Sequence, residues 1–178
     1  MRNILVGFIL IFLNFTLTLN NSRLGLIPDF IGYFIMVKGL VQMSEESPLF
    51  MKVKPYATGM IVYTGVLYFL DLFGVLATLE VFSYITVNAS AIISLYISYY
   101  IVRGVIDMEG KYSTHLNGET LNAAWTLMVV LEVLTFVSML IPFISIICMI
   151  INVIVSICFL VAFNHSNNLY YDTIGKNM

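Results

Sequence analysis

Between Leu121 and Asn164 the chain carries a single formal charge, Glu132. As one helix this stretch would extend about 66 Å, roughly twice the hydrocarbon thickness of a bilayer. It has to fold back on itself, and Pro142 is the one helix-breaking residue it contains. The pattern predicts two helices, over 121–141 and 143–164, meeting at a tight turn around Ile141 to Phe143.

Four further apolar runs precede them, over about 4–19, 27–43, 56–77 and 81–102. The chain is 60% hydrophobic and 10% charged, whereas soluble domains carry roughly 25% charged residues. A soluble fold would expose large apolar patches, which soluble monomers avoid. The expected fold class is therefore all-α: a polytopic integral membrane bundle of six transmembrane helices, forming one transmembrane domain over 1–178. The first run follows Arg2 as a secretory signal would, but Asn20, Asn21, Ser22 and Arg23 follow it in place of small residues, so it reads as an uncleaved span.

The cations orient the bundle. Of the 8 Lys and Arg residues, Arg2, Lys38, Lys52, Lys54, Arg103, Lys111 and Lys176 fall on one side of the six spans, and Arg23 falls on the other. Cytoplasmic loops hold the excess of Lys and Arg. The expectation is N-in and C-in, with 20–26 outside and the loops 44–55 and 103–120 in the cytoplasm. Pro28-Asp29 marks the start of the second span, with Pro in the first turn and the Asp carboxylate at the positive end of the helix dipole.

Several chemistries are excluded by motif. The sequence holds no HExxH, GxSxG or P-loop pattern, and Glu45-Glu46 is followed by Phe50 where a glutamate-type membrane protease needs Arg. Cys148 and Cys158 are ten residues apart on one helix, about 15 Å, too far for a disulfide. Neither they nor His115 and His165 have metal-ligand spacing. No enzyme activity, metal or cofactor is expected, and no basic run points to nucleic acid.

The residues that bear chemistry are polar groups inside apolar runs. Asp71 and Glu132 are carboxyl groups in predicted spans, and Asn14, Asn88 and Asn152 are amides in others. A charged group at a helix centre costs about 2.5–3.5 kcal/mol on insertion scales and is a functional hypothesis by default. Glu132 has to find a polar partner, with Asn88, Asn14 and Asn152 the candidates, or water, or hold a proton. Packing through interhelical hydrogen bonds is the structural alternative. Arg23 and Asp29 form an expected outer charge cluster. Tyr96, Tyr99 and Tyr100 share a helix face as a packing or interface stripe, with ligand stacking as the alternative.

The functional expectation is a non-enzymatic membrane protein, solute-binding or transport-associated, with a polar interior. The alternative is an accessory or sensor subunit acting through a partner protein in the membrane. Its surroundings are the lipid bilayer in either case. Val37-Lys38-Gly39-Leu40 matches Val102-Arg103-Gly104-Val105, and an acid follows each in the next span, Asp71 and Glu132; duplication of a two-span hairpin is one reading, and the ordinary placement of a basic residue at the inner end of a span is the alternative.

The string Leu26-Ile27-Pro28-Asp29-Phe30-Ile31-Gly32-Tyr33, followed by Lys38-Gly39-Leu40, resembles a signature of small six-span membrane proteins of low-GC Gram-positive bacteria. That resemblance implies a bacterial plasma membrane and carries no activity. A looser similarity is to the substrate-binding components of energy-coupling-factor vitamin transporters, which share the span number and length. Those use small residues at four-residue spacing in the first span, where this chain has only Gly7.

Overall fold

The computed structural model describes residues 1–12, 16–19, 22–25, 28–78, 80–138 and 142–173. The chain forms two compact units, Met1–Tyr100 and Ile101–Met178.

The first unit opens with α1 (Arg2–Phe12), two short strands β1 (Thr16–Leu19) and β2 (Ser22–Gly25), and α2 (Asp29–Gln42). The strands pair antiparallel, with Leu19 opposite Ser22 and Thr16 opposite Gly25. Within the expected first span over 4–19, the described helix covers residues up to Phe12 and Thr16–Leu19 form a strand. The cause is legible in Thr16-Leu17-Thr18-Leu19, whose β-branched residues and two-residue alternation favour a strand. Pro28 stands at the N-cap of α2, one position before the expected first turn, and Asp29 opens the helix.

α1 and α2 pack antiparallel at backbone distance. A Cβ on Gly7 would lie 2.8 Å from the Gly32 carbonyl oxygen, and one on Gly39 would lie 2.7 Å from the Ile4 nitrogen. Small residues permit such approach between membrane helices, where dispersion contacts replace the hydrophobic effect. At the far end of the pair Asn3 Nδ2 donates to Gln42 Oε1 at 2.9 Å. Ile4, Phe8, Met36 and Leu40 are buried alongside.

α3 (Pro48–Leu72) begins earlier than the expected span over 56–77, absorbing most of the predicted loop 44–55. Ser47 caps it, its hydroxyl accepting from the Leu49 N–H at 3.3 Å, and Pro48 fills the first turn where its missing N–H costs nothing. Gly74, at φ +70°, closes the other end and donates to the Asp71 carbonyl at 2.9 Å. A short α4 (Val75–Thr78) follows. α5 (Glu80–Tyr112) then runs for 33 residues, about 50 Å, where the sequence had suggested a span ending at 102. Its first part meets α3 through side chains, as where the Tyr63 hydroxyl donates to the Thr86 carbonyl at 2.9 Å.

The second unit holds the last part of α5, then α6 (Gly118–Ser138) and α7 (Pro142–Thr173). The expected loop 103–120 shrinks to a few residues. Ser113 and Asn117 adopt positive φ, 50° and 66°, to reverse the chain. The Glu109 carboxylate clamps the reversal, with Oε1 accepting from the Leu116 N–H at 2.6 Å and the Gly118 N–H at 2.9 Å. Val105, Met108, Leu116, Leu121, Phe159 and Phe163 form the core. α7 begins at Pro142; the residues 139–141 at the predicted turn lie outside the described ones.

Among the described residues, three helical stretches are long and apolar enough to cross a membrane: Ile85–Tyr112, Gly118–Ser138 and Ile146–Thr173. α1 and α2, at 11 and 14 residues, reach only about 17 and 21 Å against a hydrocarbon core of about 30 Å.

Two glycine substitutions should act in opposite senses. Gly39→Ala has to push α1 and α2 apart and should cost about 1–3 kcal/mol. Gly110 has nothing within 4 Å of its virtual Cβ, so Gly110→Ala should stabilise by up to about 1 kcal/mol through helix propensity. Thermal unfolding of the purified protein in one detergent reads both; equal shifts for the two variants would refute the close contact.

Candidate functional site

Glu132 is the lone formal charge of the apolar hairpin, and Asn152 is its partner. Asn152 Nδ2 donates to Glu132 Oε2 at 2.6 Å. The local sequence explains how the two meet. On α6 the less exposed positions recur as Leu121, Met128, Glu132, Thr135 and Ser138; on α7 they recur as Cys148, Asn152, Phe159 and Phe163. Steps of three, four and seven place each set on one helix stripe. The two stripes face each other because the connection between α6 and α7 is short and makes them antiparallel neighbours. Glu132 and Asn152 each lie ten positions from Pro142, so they arrive at the same depth.

The outward surface around this pair is apolar: Val130, Val133 and Leu134 on α6, and Ile151, Val153 and Ile154 on α7, are exposed. The pair is half-buried between the helices. A hydrogen bond to an ionised carboxylate is short and stronger than one between neutral groups. Thr135, one turn from Glu132, does not join the pair through its donor, since its hydroxyl donates to the Leu131 carbonyl at 2.8 Å. Chemically, a carboxylate beside an amide accepts a hydrogen bond or a proton, and offers oxygens to a cation or a polar solute.

The other sequence-derived positions are distributed as follows. Asp71 is the penultimate residue of α3, so it sits at a helix end and not within the continuous span expected over 56–77. This breaks the register of the suspected repeat, because Glu132 stands well inside α6. Asn88 is half-buried on α5 in the first unit, which also holds Asp71, whereas Glu132 and Asn152 belong to the second. Asn14 and the side chain of Arg23 fall outside what is described, and with them the expected Arg23–Asp29 cluster. Among the described residues no group of three or more His, Cys, Asp or Glu gathers to hold a metal.

Two polar features escaped the sequence. Tyr33, 2% exposed, shares a hydrogen bond with Ser94, joining α2 to α5. Lys52 Nζ stands 4.5 Å over the Tyr100 ring and joins α3 to α5. Both partners are far apart in the chain, and no local spacing announces either pair. No protein-family model, curated protein or solved structure matches the chain.

The Glu132–Asn152 bond should show as non-additivity. Glu132→Leu strands the Asn152 amide and Asn152→Leu strands the carboxylate, so each single change destabilises. The double change removes both polar groups and should cost less than the sum of the two, by about 1 kcal/mol. Unfolding in lipid or mild detergent measures the cycle, and strict additivity would mean the two side chains are not bonded.

Proposed function

We propose that this chain is a non-enzymatic, multi-pass protein of a bacterial plasma membrane, with six spans in one transmembrane domain and both termini in the cytoplasm. Its activity is solute binding, or a step associated with transport, at the polar interior around Glu132 and Asn152. Asp71 and Asn88 supply the polar groups of the first unit. The observation that carries this reading is the 2.6 Å carboxylate–amide bond inside a hairpin whose outer surface is apolar. An acid held at that depth is expensive, and one already oriented by an amide is ready to accept a proton, a cation or a donor group of a solute. Three helices fit to cross a membrane support the location. The charge asymmetry of the loops supports the orientation, and the Pro28-Asp29-Phe30-Ile31-Gly32-Tyr33 string supports the bacterial setting.

A second reading is an accessory or sensor subunit that works through a membrane partner. The same bond favours it from the other side, since Asn152 already satisfies Glu132 and the pair can serve as packing glue.

Reporter fusions after Ser47, after Ser113 and at the C-terminus should all report cytoplasm, and one after Asn21 should report outside. A C-terminus on the wrong side would mean that α6 and α7 do not both cross. Glu132→Gln separates the two functional readings. It keeps shape and hydrogen bonding but not titration. With protein purified in native lipid and analysed by mass spectrometry, the solute reading expects a co-purifying small molecule that the Gln variant loses about tenfold or more. A co-purifying protein retained by both forms, with no such molecule, favours the accessory reading.

A further inference from the structure

At one end of the first unit four tyrosines and a lysine form a continuous chain across two helices. Lys52 Nζ lies 4.5 Å over the ring of Tyr100 and hydrogen-bonds its hydroxyl. Tyr96 shares hydrogen bonds with both Tyr100 and Tyr56, and its ring centroid is 4.9 Å from each. Tyr99 adds a ring edge 5.2 Å from Tyr100. Lys38 over Phe34 and Lys111 over Tyr112 are also cation–ring pairs, but each lies within one turn of a single helix. Lys52 instead reaches from α3 to α5. The Tyr100 hydroxyl, more than any other group, holds the ammonium above its ordinary pKa range, so the charge is fixed. The other groups acting on it are the phenols of Tyr56 and Tyr99, none of them a carboxylate. Among the described residues no carboxylate acts on it, and an ammonium has three donors of which Tyr100 takes one.

The cluster stands where apolar chain meets polar chain. Along α3 no charge follows Lys54 until Asp71, and along α5 none lies between Glu80 and Arg103. Tyr56 is 48% exposed, and above it Gly59, Val62, Val66 and Phe69 continue as an exposed stripe at helical spacing. Gly59 has nothing within 4 Å of its virtual Cβ, so the space beside it in that stripe is open. Lys and Tyr side chains are donors suited to a phosphate, and interfacial basic residues attract anionic headgroups.

The geometry points to a binding site for one anionic phospholipid: its phosphodiester on the Lys52 ammonium and on the one phenol proton that the two bonds among Tyr56, Tyr96 and Tyr100 leave over, and an acyl chain along Gly59, Val62, Val66 and Phe69. That this is the inner leaflet rests on the orientation proposed above; the binding does not, so topology fusions and lipid binding fail separately.

Native mass spectrometry of the whole protein, released from micelles with equal phosphatidylglycerol and phosphatidylcholine, tests it. The wild type should retain phosphatidylglycerol selectively. Lys52→Gln should lower that retention about fivefold, Lys52→Arg should restore most of it, and Tyr100→Phe should lower it in part. Lys38→Gln should leave it unchanged. Inorganic phosphate at millimolar concentration should not displace the lipid. If phosphate does displace it, or stabilises lipid-free protein in a Lys52-dependent way, the occupant is a soluble phosphate and the lipid assignment falls. Equal retention of the two lipids by the wild type, or equal loss in Lys38→Gln and Lys52→Gln, overturns the site altogether.

Discussion

A polar atom among apolar side chains has no partner except one that the chain supplies, and this shortage organises the molecule. It first selects helices, which satisfy their backbone internally. It then decides where hydroxyl groups go. Thr64 donates to the Met60 carbonyl at 2.6 Å, Ser90 to Thr86 at 3.0 Å, Ser98 to Leu95 at 2.9 Å and Ser166 to Ala162 at 3.2 Å. Each is absorbed by the preceding turn of its own helix. Asn and Glu cannot be absorbed this way, because a carboxylate brings no donor and an amide brings both kinds of group. They have to look across to another helix, and Glu132 with Asn152 is that case.

Within the first unit, two pairs of helices associate by different means. α1 and α2 rely on absence of side chain: Gly7, Gly32 and Gly39 let backbone approach backbone. α3 and α5 rely on large side chains, with Tyr63 reaching the Thr86 carbonyl and Tyr56 meeting Tyr96. The first mode needs no polar group and is intolerant of one added carbon. The second tolerates volume but depends on hydroxyl partners. It also leaves phenols and an ammonium partly exposed where the apolar part of each helix meets its charged part.

How much was legible in the sequence follows from the range of each signal. The hairpin of α6 and α7 is written locally, in 44 residues with one charge and one proline. The start of α2 at Pro28-Asp29 is equally local, and Ser47-Pro48 carries the same kind of signal, though hydropathy alone hides it behind Lys52 and Lys54. Charge also concealed the extension of α5, because Arg103, Asp107, Glu109 and Lys111 read as loop while their helix continues to Tyr112. Hydropathy measures transfer to lipid and not helix formation, so it places the edge of an apolar segment and not the end of a helix. The alternating Thr16-Leu17-Thr18-Leu19 was masked for the converse reason, as an apolar average hides a two-residue period. The Tyr33–Ser94 and Lys52–Tyr100 pairs depend on how helices distant in sequence are placed, which no window of residues contains.

The hairpin also shows how a turn can select a chemical pair. In an antiparallel hairpin, residues at equal distance from the turn meet at equal depth, and a helix advances about 100° per residue. Moving the turn by one position would displace one partner by about 1.5 Å along the axis and swing it about a quarter of the way round the helix. Asn152 would then leave the seam for the exposed apolar face that Val153 occupies. The Glu132 carboxylate would lose its donor among apolar side chains. Pro142 thus does more than end a helix: by fixing where α7 begins, it fixes which side chain meets Glu132, and an energetic requirement at position 132 becomes a constraint on a turn ten residues away.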